Sequence, residues 1–268
     1  MELKDFFEKH RRVALAFSGG VDSSYLLYTA QKYADKVRAY YVKSAFQPSF
    51  EYEDALRLAK ELKADLCVIH IDVLTDDKVT SNPSDRCYYC KQRIFSKILE
   101  QAKSDGFTDL LDGTNASDSS DDRPGMKALK EMKVLSPLRE CGLTKARIRE
   151  LSKEAGLFTW NKAAYACLAT RIPSGTQITA EKLEKTERAE AFLMSLGFKD
   201  FRVRMMETKA PKENLNGPES KKSSPLPTAK LELSSAELPL LVENRQQIIS
   251  KLKIDYDKIL LDLEMRNE

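Results

Sequence analysis

No sign of charge dominates this chain of 268 residues: 44 Lys and Arg stand against 41 Asp and Glu, a net charge of only +3. That balance excludes the broad basic excess of a dedicated nucleic-acid binder, so contact with RNA would need a local patch. Long apolar runs are missing too, and none approaches the length that spans a bilayer. The opening segment MELKDFFEKHRRVALAF is charged and amphipathic, without the apolar core and small-residue cleavage site of a secretory signal. A cytoplasmic protein without membrane contact is expected. Cysteine is scarce, five residues in all. In a reducing compartment such a set does not read as a disulfide framework, and a close pair points to metal or redox chemistry. Internal repeats are absent. What is present is an ordinary globular composition, 42% hydrophobic and 32% charged, on a length that suits one large and one small domain.

Short β-rich runs at Val13 to Phe17, Val37 to Val42, Asp65 to Asp72, Asp109 to Thr114 and Lys133 to Leu138 alternate with helix-like segments. The alternation predicts an α/β domain over residues 1–172, a parallel sheet covered on both faces. The pattern breaks near Tyr165 to Gly175, and residues 173–268 read as a smaller α+β domain. Its expected elements are a helix in TAEKLEKTERAEAFLMSLG, capped by Thr179 and stopped by Gly197, strands in FRVRMM and AKLELS, a helix over Ser235 to Leu252 and a last strand over Lys258 to Leu263. Residues 207–227, rich in Lys, Pro and Ser with little to bury, read as a mobile loop.

The sharpest motif follows the first strand: AFSGGVDSS, Ala16 to Ser24. A strand that ends in two glycines and runs into a helix presents free backbone amides at a helix N-terminus, where the dipole favours an anion. Gly19 and Gly20 allow a phosphate close to the backbone, and Ser18, Ser23 and Ser24 add hydroxyls. Asp22 would order the loop or hold Mg²⁺, since a bare carboxylate repels phosphate. Neither GxGxxG nor GxxxxGK[ST] is matched. The stretch resembles the SGGxDS pyrophosphate-binding loop of the ATP pyrophosphatases, which split ATP between its α and β phosphates. Ser44 and the DGTNASD stretch, Asp112 to Asp118, fall where an α/β sheet places its ligand, although ordinary caps and turns would account for them equally well.

Asn82 and Pro83 read as cap and first residue of a helix that puts Cys87 and Cys90 of RCYYCK on one face. Two thiolates are too few for a stable iron or zinc site, so a third ligand is needed. Cys67, inside DLCVIHID, reads as a small core residue, and Cys141 as incidental. Cys167 sits in the irregular YACLATRIPSG, four residues from Arg171, the setting of a reactive thiol.

Taken together, SGGVDSS, the Tyr88, Tyr89 and Lys91 of YYxK, DxRPGMKA from Asp121 to Ala128, WNKxAxxC from Trp160 to Cys167, the R-x-P-x-G of Arg171 to Gly175 and the RVR of Arg202 to Arg204 resemble the LarE family. The resemblance implies an ATP-dependent sulfur transferase of nickel-pincer nucleotide synthesis, with an adenine nucleotide alpha hydrolase-like fold. Such an enzyme adenylates pyridinium-3,5-biscarboxylic acid mononucleotide and replaces carboxylate with thiocarboxylate. Some members sacrifice the sulfur of the cysteine matching Cys167; others add a CxxC and bind a [4Fe-4S] cluster that carries an extra sulfide, and Cys87, Cys90 and Cys167 match that second pattern. Cys167, Asp22 and Lys91 would then act in catalysis, Ser18, Gly19, Gly20, Asp22, Ser23 and Ser44 in ATP binding, and Lys91, Arg171, Glu190, Arg202 and Arg204 in holding the mononucleotide. Forked guanidinium groups suit its phosphate, though alternating charge at Arg202 and Arg204 also fits a solvent-facing strand, and Glu190 a solvated helix position. ATP, Mg²⁺, a sulfide donor and a homo-oligomer are the implied partners; nucleic acid is not. The Lys/Pro/Ser loop departs from the family pattern, where a short connection is expected. Two rivals stay open: a tRNA-thiolating ATP pyrophosphatase with a three-cysteine cluster, and a non-enzymatic nucleotide or iron sensor.

Overall fold

The computed structural model describes residues 2–118, 124–207 and 226–266. The chain divides into two compact units, Met1–Tyr165 and Ala166–Glu268. Most of the loop expected at 207–227, and the Asp121 to Arg123 part of DxRPGMKA, lie outside the described residues.

The first unit runs α1 (Leu3–Lys9), β1 (Arg12–Ala16), α2 (Val21–Tyr33), β2 (Lys36–Lys43), α3 (Ser49–Glu61), β3 (Leu66–His70), α4 (Asp77–Thr80), α5 (Arg86–Ser104), β4 (Asp109–Leu111), α6 (Pro124–Glu131), α7 (Pro137–Glu140) and α8 (Lys145–Glu154). Its sheet has the order β3-β2-β1-β4, every pair parallel, so the α/β class implied by the alternation of strands and helices holds. β1 sends Val13 and Leu15 into one apolar cluster with Leu26, Tyr41 and Leu58, and Ala14 and Ala16 into another with Tyr40, Phe95 and Ile98. Burial on both faces is why the strand reads as an unbroken apolar run.

The strand order reverses at β1: the chain steps outward to β2 and β3, then returns to lay β4 on the other side of β1. Loops leaving the carboxyl ends of two strands at such a reversal diverge and open a crevice. This places the loop after β1 opposite the loop after β4.

Two expected elements differ in this unit. The strand expected over Lys133 to Leu138 contracts to one parallel bridge, Leu111 to Leu135. Lys133 has φ 53°, and Pro137, which has no amide to give a ladder, opens α7 instead. The cysteine-bearing helix starts later than Asn82 and Pro83 suggest: Asn82 has φ 55°, outside any helix start, and Asp85 is the residue that precedes α5.

In the second unit a 3₁₀ turn, Leu168–Arg171, precedes α9 (Ala180–Ser195), β5 (Phe201–Met206), β6 (Thr228–Leu233), α10 (Leu238–Glu243), α11 (Arg245–Leu252) and β7 (Lys258–Leu261). The Thr179 side chain accepts the Lys182 amide at the head of α9, and Gly197 takes φ 100° behind it, the stop that glycine permits. β5 pairs antiparallel with β6, and β6 parallel with β7, over a core that includes Leu193, Phe201, Val203, Leu231, Ile248 and Tyr256. The single helix expected over Ser235 to Leu252 breaks at Asn244, whose side-chain amide donates to the Leu240 carbonyl at 3.0 Å, a local competitor to helix propagation. Among the described residues no helix is long and apolar enough to cross a membrane.

Leu15 is fully buried in the middle of β1. Leu15→Ala is expected to cost about 2–5 kcal/mol in chemical denaturation; a loss no larger than a surface change causes, about 0.5 kcal/mol, would contradict its place in the core.

Candidate active site

β1 delivers the chain to α2 through Ser18, Gly19 and Gly20. Gly19 has φ 73°, and a Cβ there would lie 3.1 Å from the Cβ of Ala55, so both backbone geometry and α3 demand glycine. The turn is laced by serines: the Ser18 amide donates to Ser23 Oγ at 3.3 Å, the two hydroxyls meet at 3.0 Å, and Ser23 and Ser24 hydroxyls donate to the Gly20 carbonyl at 3.2 and 2.8 Å. The amides of Val21, Asp22 and Ser23 open a helix and have no acceptor within it. They converge with the positive end of the helix dipole, the makings of a phosphate cradle.

Across the crevice, the loop after β4 presses against this first turn, and a Cβ on Gly113 would lie 2.9 Å from the Ser23 nitrogen. Asp112 holds that loop by accepting from Thr114 Oγ1 at 2.6 Å and Ser136 Oγ at 2.7 Å. The cleft, about 280 Å³, takes in Ser18, Gly20, Asp22, Ser23, Lys91, Asp112 and Asp118. Ser44 is not part of its lining; its hydroxyl donates to Gln47 Oε1 at 2.7 Å in a buried turn after β2.

Lys91 reaches the cleft from α5. Burial disfavours its charge and pulls its pKa down, opposed by Asp112 and other anions. A Cβ on Gly125 would lie 2.9 Å from Lys91 Cδ and 3.1 Å from Cε, so the glycine of RPGMKA makes room for the lysine stem. Tyr88 fixes the same helix to α6 by donating to Glu131 at 2.7 Å.

Asp22, on the first turn of α2, accepts from Lys145 Nζ at 2.6 Å. Its other oxygen is buried and takes no hydrogen bond. Burial pushes its pKa up, with Lys145 pulling the other way. A carboxylate oxygen left in this condition is suited to a cation arriving with a nucleotide.

None of the five cysteines is in a disulfide. Cys87 and Cys90 occupy the first turns of α5, Cys87 exposed and Cys90 half-buried, and Arg86, held by Asn82 at 2.6 Å, reaches Cys87 Sγ at 3.7 Å. Cys67 is half-buried in β3. Among the described residues no group of three or more His, Cys, Asp or Glu side chains is placed to hold a metal ion.

Cys167 caps the 3₁₀ turn of the second unit, which is tied down from inside. Its carbonyl accepts from Thr170 Oγ1 at 2.8 Å, and Thr170 Oγ1 in turn accepts from Arg171 at 2.7 Å. Arg171, 1% exposed, forks onto Glu190 at 2.7 and 3.2 Å, and Glu190 also accepts the Val203 amide at 2.8 Å. Arg204 donates to the Thr170 carbonyl and to Glu232, both at 2.6 Å. Arg202 is buried on β5, its pKa lowered to about 10 by burial and by the neighbouring cations Arg171 and Arg266. Arg171, Glu190 and Arg204 thus tie down the Cys167 turn, and Arg202 lies near enough to feel the charge of Arg171.

A parallel sheet whose strand order reverses at a serine-laced glycine loop defines the ATP pyrophosphatase class, and residues 6–112 match the asparagine synthase family. The chain is 37% identical over 196 residues to pyridinium-3,5-bisthiocarboxylic acid mononucleotide synthase of Lactiplantibacillus plantarum, covering 72% of this chain and 71% of that one. It is 35% identical to an uncharacterized protein of Synechocystis, covering 75% and 76% of the two chains, and 28% identical to one of Methanocaldococcus jannaschii, covering 98% and 93%. The chain belongs to the LarE family of ATP-dependent sulfurtransferases.

Sequence reasoning missed Lys145, and gave Gly113 and Gly125 no role of their own although both fall in stretches it singled out. Lys145 follows Thr144, whose side chain accepts the Arg147 amide; that cap was legible, but its meeting with a residue 123 positions earlier was not. Both glycines act by close approach across the fold, which no local pattern reports.

Gly125→Ala is expected to leave thermal stability within a few degrees and to cut adenylation at least about tenfold by displacing Lys91; unchanged adenylation would contradict the packing. Glu190→Ala is expected to cost about 3–5 kcal/mol in denaturant titration, because it strands Arg171; a near-neutral effect would refute the buried pair.

Proposed function

We propose that this protein converts carboxylates of pyridinium-3,5-biscarboxylic acid mononucleotide to thiocarboxylates in nickel-pincer nucleotide synthesis. The observation that carries the reading is the presence, in one chain, of the glycine cradle at the sheet reversal and a cysteine fixed at the head of an arginine network. Ser18, Gly19, Gly20 and Ser23 with the first amides of α2 hold the β and γ phosphates, Asp22 receives Mg²⁺, and Ser44 shapes the nucleotide side through its turn. Lys91 faces the α phosphate and the substrate carboxylate. A carboxylate oxygen bonds the α phosphorus, pyrophosphate leaves with the electron pair of the broken P–O bond, a sulfur nucleophile then attacks the acyl carbon, and AMP leaves with the bridging oxygen. Arg202 and Arg204 hold the mononucleotide phosphate, and Arg171 with Glu190 frames that site.

No disulfide involves Cys87, Cys90 or Cys167, and two cysteines one turn apart on α5 with a third in the chain supply the thiolates an iron-sulfur site uses. These three would hold a [4Fe-4S] cluster, which when bound offers one iron without a protein ligand for an exogenous sulfide. With that cargo Cys167 keeps its own sulfur. The near-neutral charge does not favour tRNA as acceptor, and bulk tRNA is expected to give no shift in a gel.

Anaerobically reconstituted protein is expected to bind about four irons per chain, to lose them on Cys87→Ser, Cys90→Ser or Cys167→Ser, and to keep them on Cys67→Ser or Cys141→Ser. Given ATP, magnesium, the biscarboxylated mononucleotide and sulfide, it should make more than one thiocarboxylate per chain with intact mass unchanged. One tightly held zinc in place of iron, or product capped at one sulfur with Cys167 converted to dehydroalanine, would overturn the renewable route.

A further inference from the structure

Splitting ATP between its α and β phosphates leaves pyrophosphate, which needs more positive charge than the described loop supplies. The head of α2 contributes only about half a charge, while Asp22 on its first turn and Asp112 and Asp118 in the same cleft are acidic. Lys91 serves the cleft from α5. Among the described residues a further cation reaches the first turn of α2: Lys145, whose Nζ lies 2.6 Å from Asp22 Oδ2.

The setting of Lys145 separates a fixed backbone from a movable end. Its amide donates to Ser117 Oγ at 3.0 Å, the Ala116 amide donates to the Leu143 carbonyl at 2.8 Å, and Thr144 caps α8, so the loop after β4 clamps the start of that helix. The side chain is about one-third exposed (34%), and its four-carbon stem is free to swing. Asp22, meanwhile, keeps one buried oxygen without a hydrogen bond and can exchange a lysine for a divalent cation.

We propose that Lys145 is a pyrophosphate-binding residue: it rests on Asp22 in the absence of nucleotide, yields that carboxylate to the cation that accompanies ATP, and donates to the β and γ phosphates as the bond to the α phosphorus breaks. The inference rests on ATP use at the glycine loop and is independent of the sulfur acceptor.

The test compares Lys145→Met and Lys145→Arg with the unmodified protein, using pyrophosphate and AMP as separate probes of binding by calorimetry in magnesium. Lys145→Met should weaken pyrophosphate roughly 10- to 100-fold, the worth of a hydrogen bond between charged groups, and leave AMP unchanged; Lys145→Arg should recover most of the loss. Arg147→Gln, which removes an exposed charge from the same helix, should change neither. Equal weakening of pyrophosphate and AMP, or of neither, overturns the proposal. Should Lys145→Met fail to fold, the unmodified protein decides: pyrophosphate, and not AMP, should protect Lys145 from an amine-acylating reagent in peptide mass spectra, and protection by neither or by both overturns it. Loss of sulfur transfer with pyrophosphate selectivity intact would count against the proposed acceptor and not against Lys145.

Discussion

β1 has to end, turn and become a helix within four residues at the point where the sheet reverses its order, and the rest of the first unit is arranged to allow it. Gly19 meets the requirement with a left-handed turn pressed against Ala55. A side chain there would be strained by its φ and blocked by α3 at once. Because the turn is that tight, the first amides of α2 are left without acceptors and pointed into the crevice. The loop after β4 then closes on the same turn so nearly that Gly113 cannot carry a Cβ. The cradle is thus a consequence of strand order and two glycines, and the serines that lace it hold a shape already imposed.

Charge is handled differently in the two units. In the first, a half-buried lysine and several carboxylates line one cleft, and the ion pair of Asp22 with Lys145 leaves an oxygen unserved. Such a pair is poised to exchange partners. In the second, Arg171 and Glu190 are 1% exposed each and satisfied from several sides. A buried pair of this kind is costly to break, and it locks the turn that carries Cys167. One arrangement leaves a polar atom to be served; the other fixes the backbone around it.

Much of this was legible in the sequence where the signal is local. The loop AFSGGVDSS announced its strand, turn and helix because glycine and serine have few other uses in that order, and Thr179 and Gly197 marked the ends of α9. The misreadings share a cause. Lys133 to Leu138 has strand composition, yet Pro137 takes it out of the ladder and leaves one bridge; Asn82 looks like a cap but spends its side chain on Arg86. Lys145, Gly113 and Gly125 depend on long-range approach, and a linear pattern carries no record of it.

The central claim is that a carboxylate is activated by the α phosphate of ATP, and oxygen labelling tests it most directly. With the substrate carboxylates enriched in ¹⁸O and the reaction run in unlabelled water, the account predicts one labelled oxygen in the phosphate of each AMP released. Unlabelled AMP, or ADP as the nucleotide product, would contradict it.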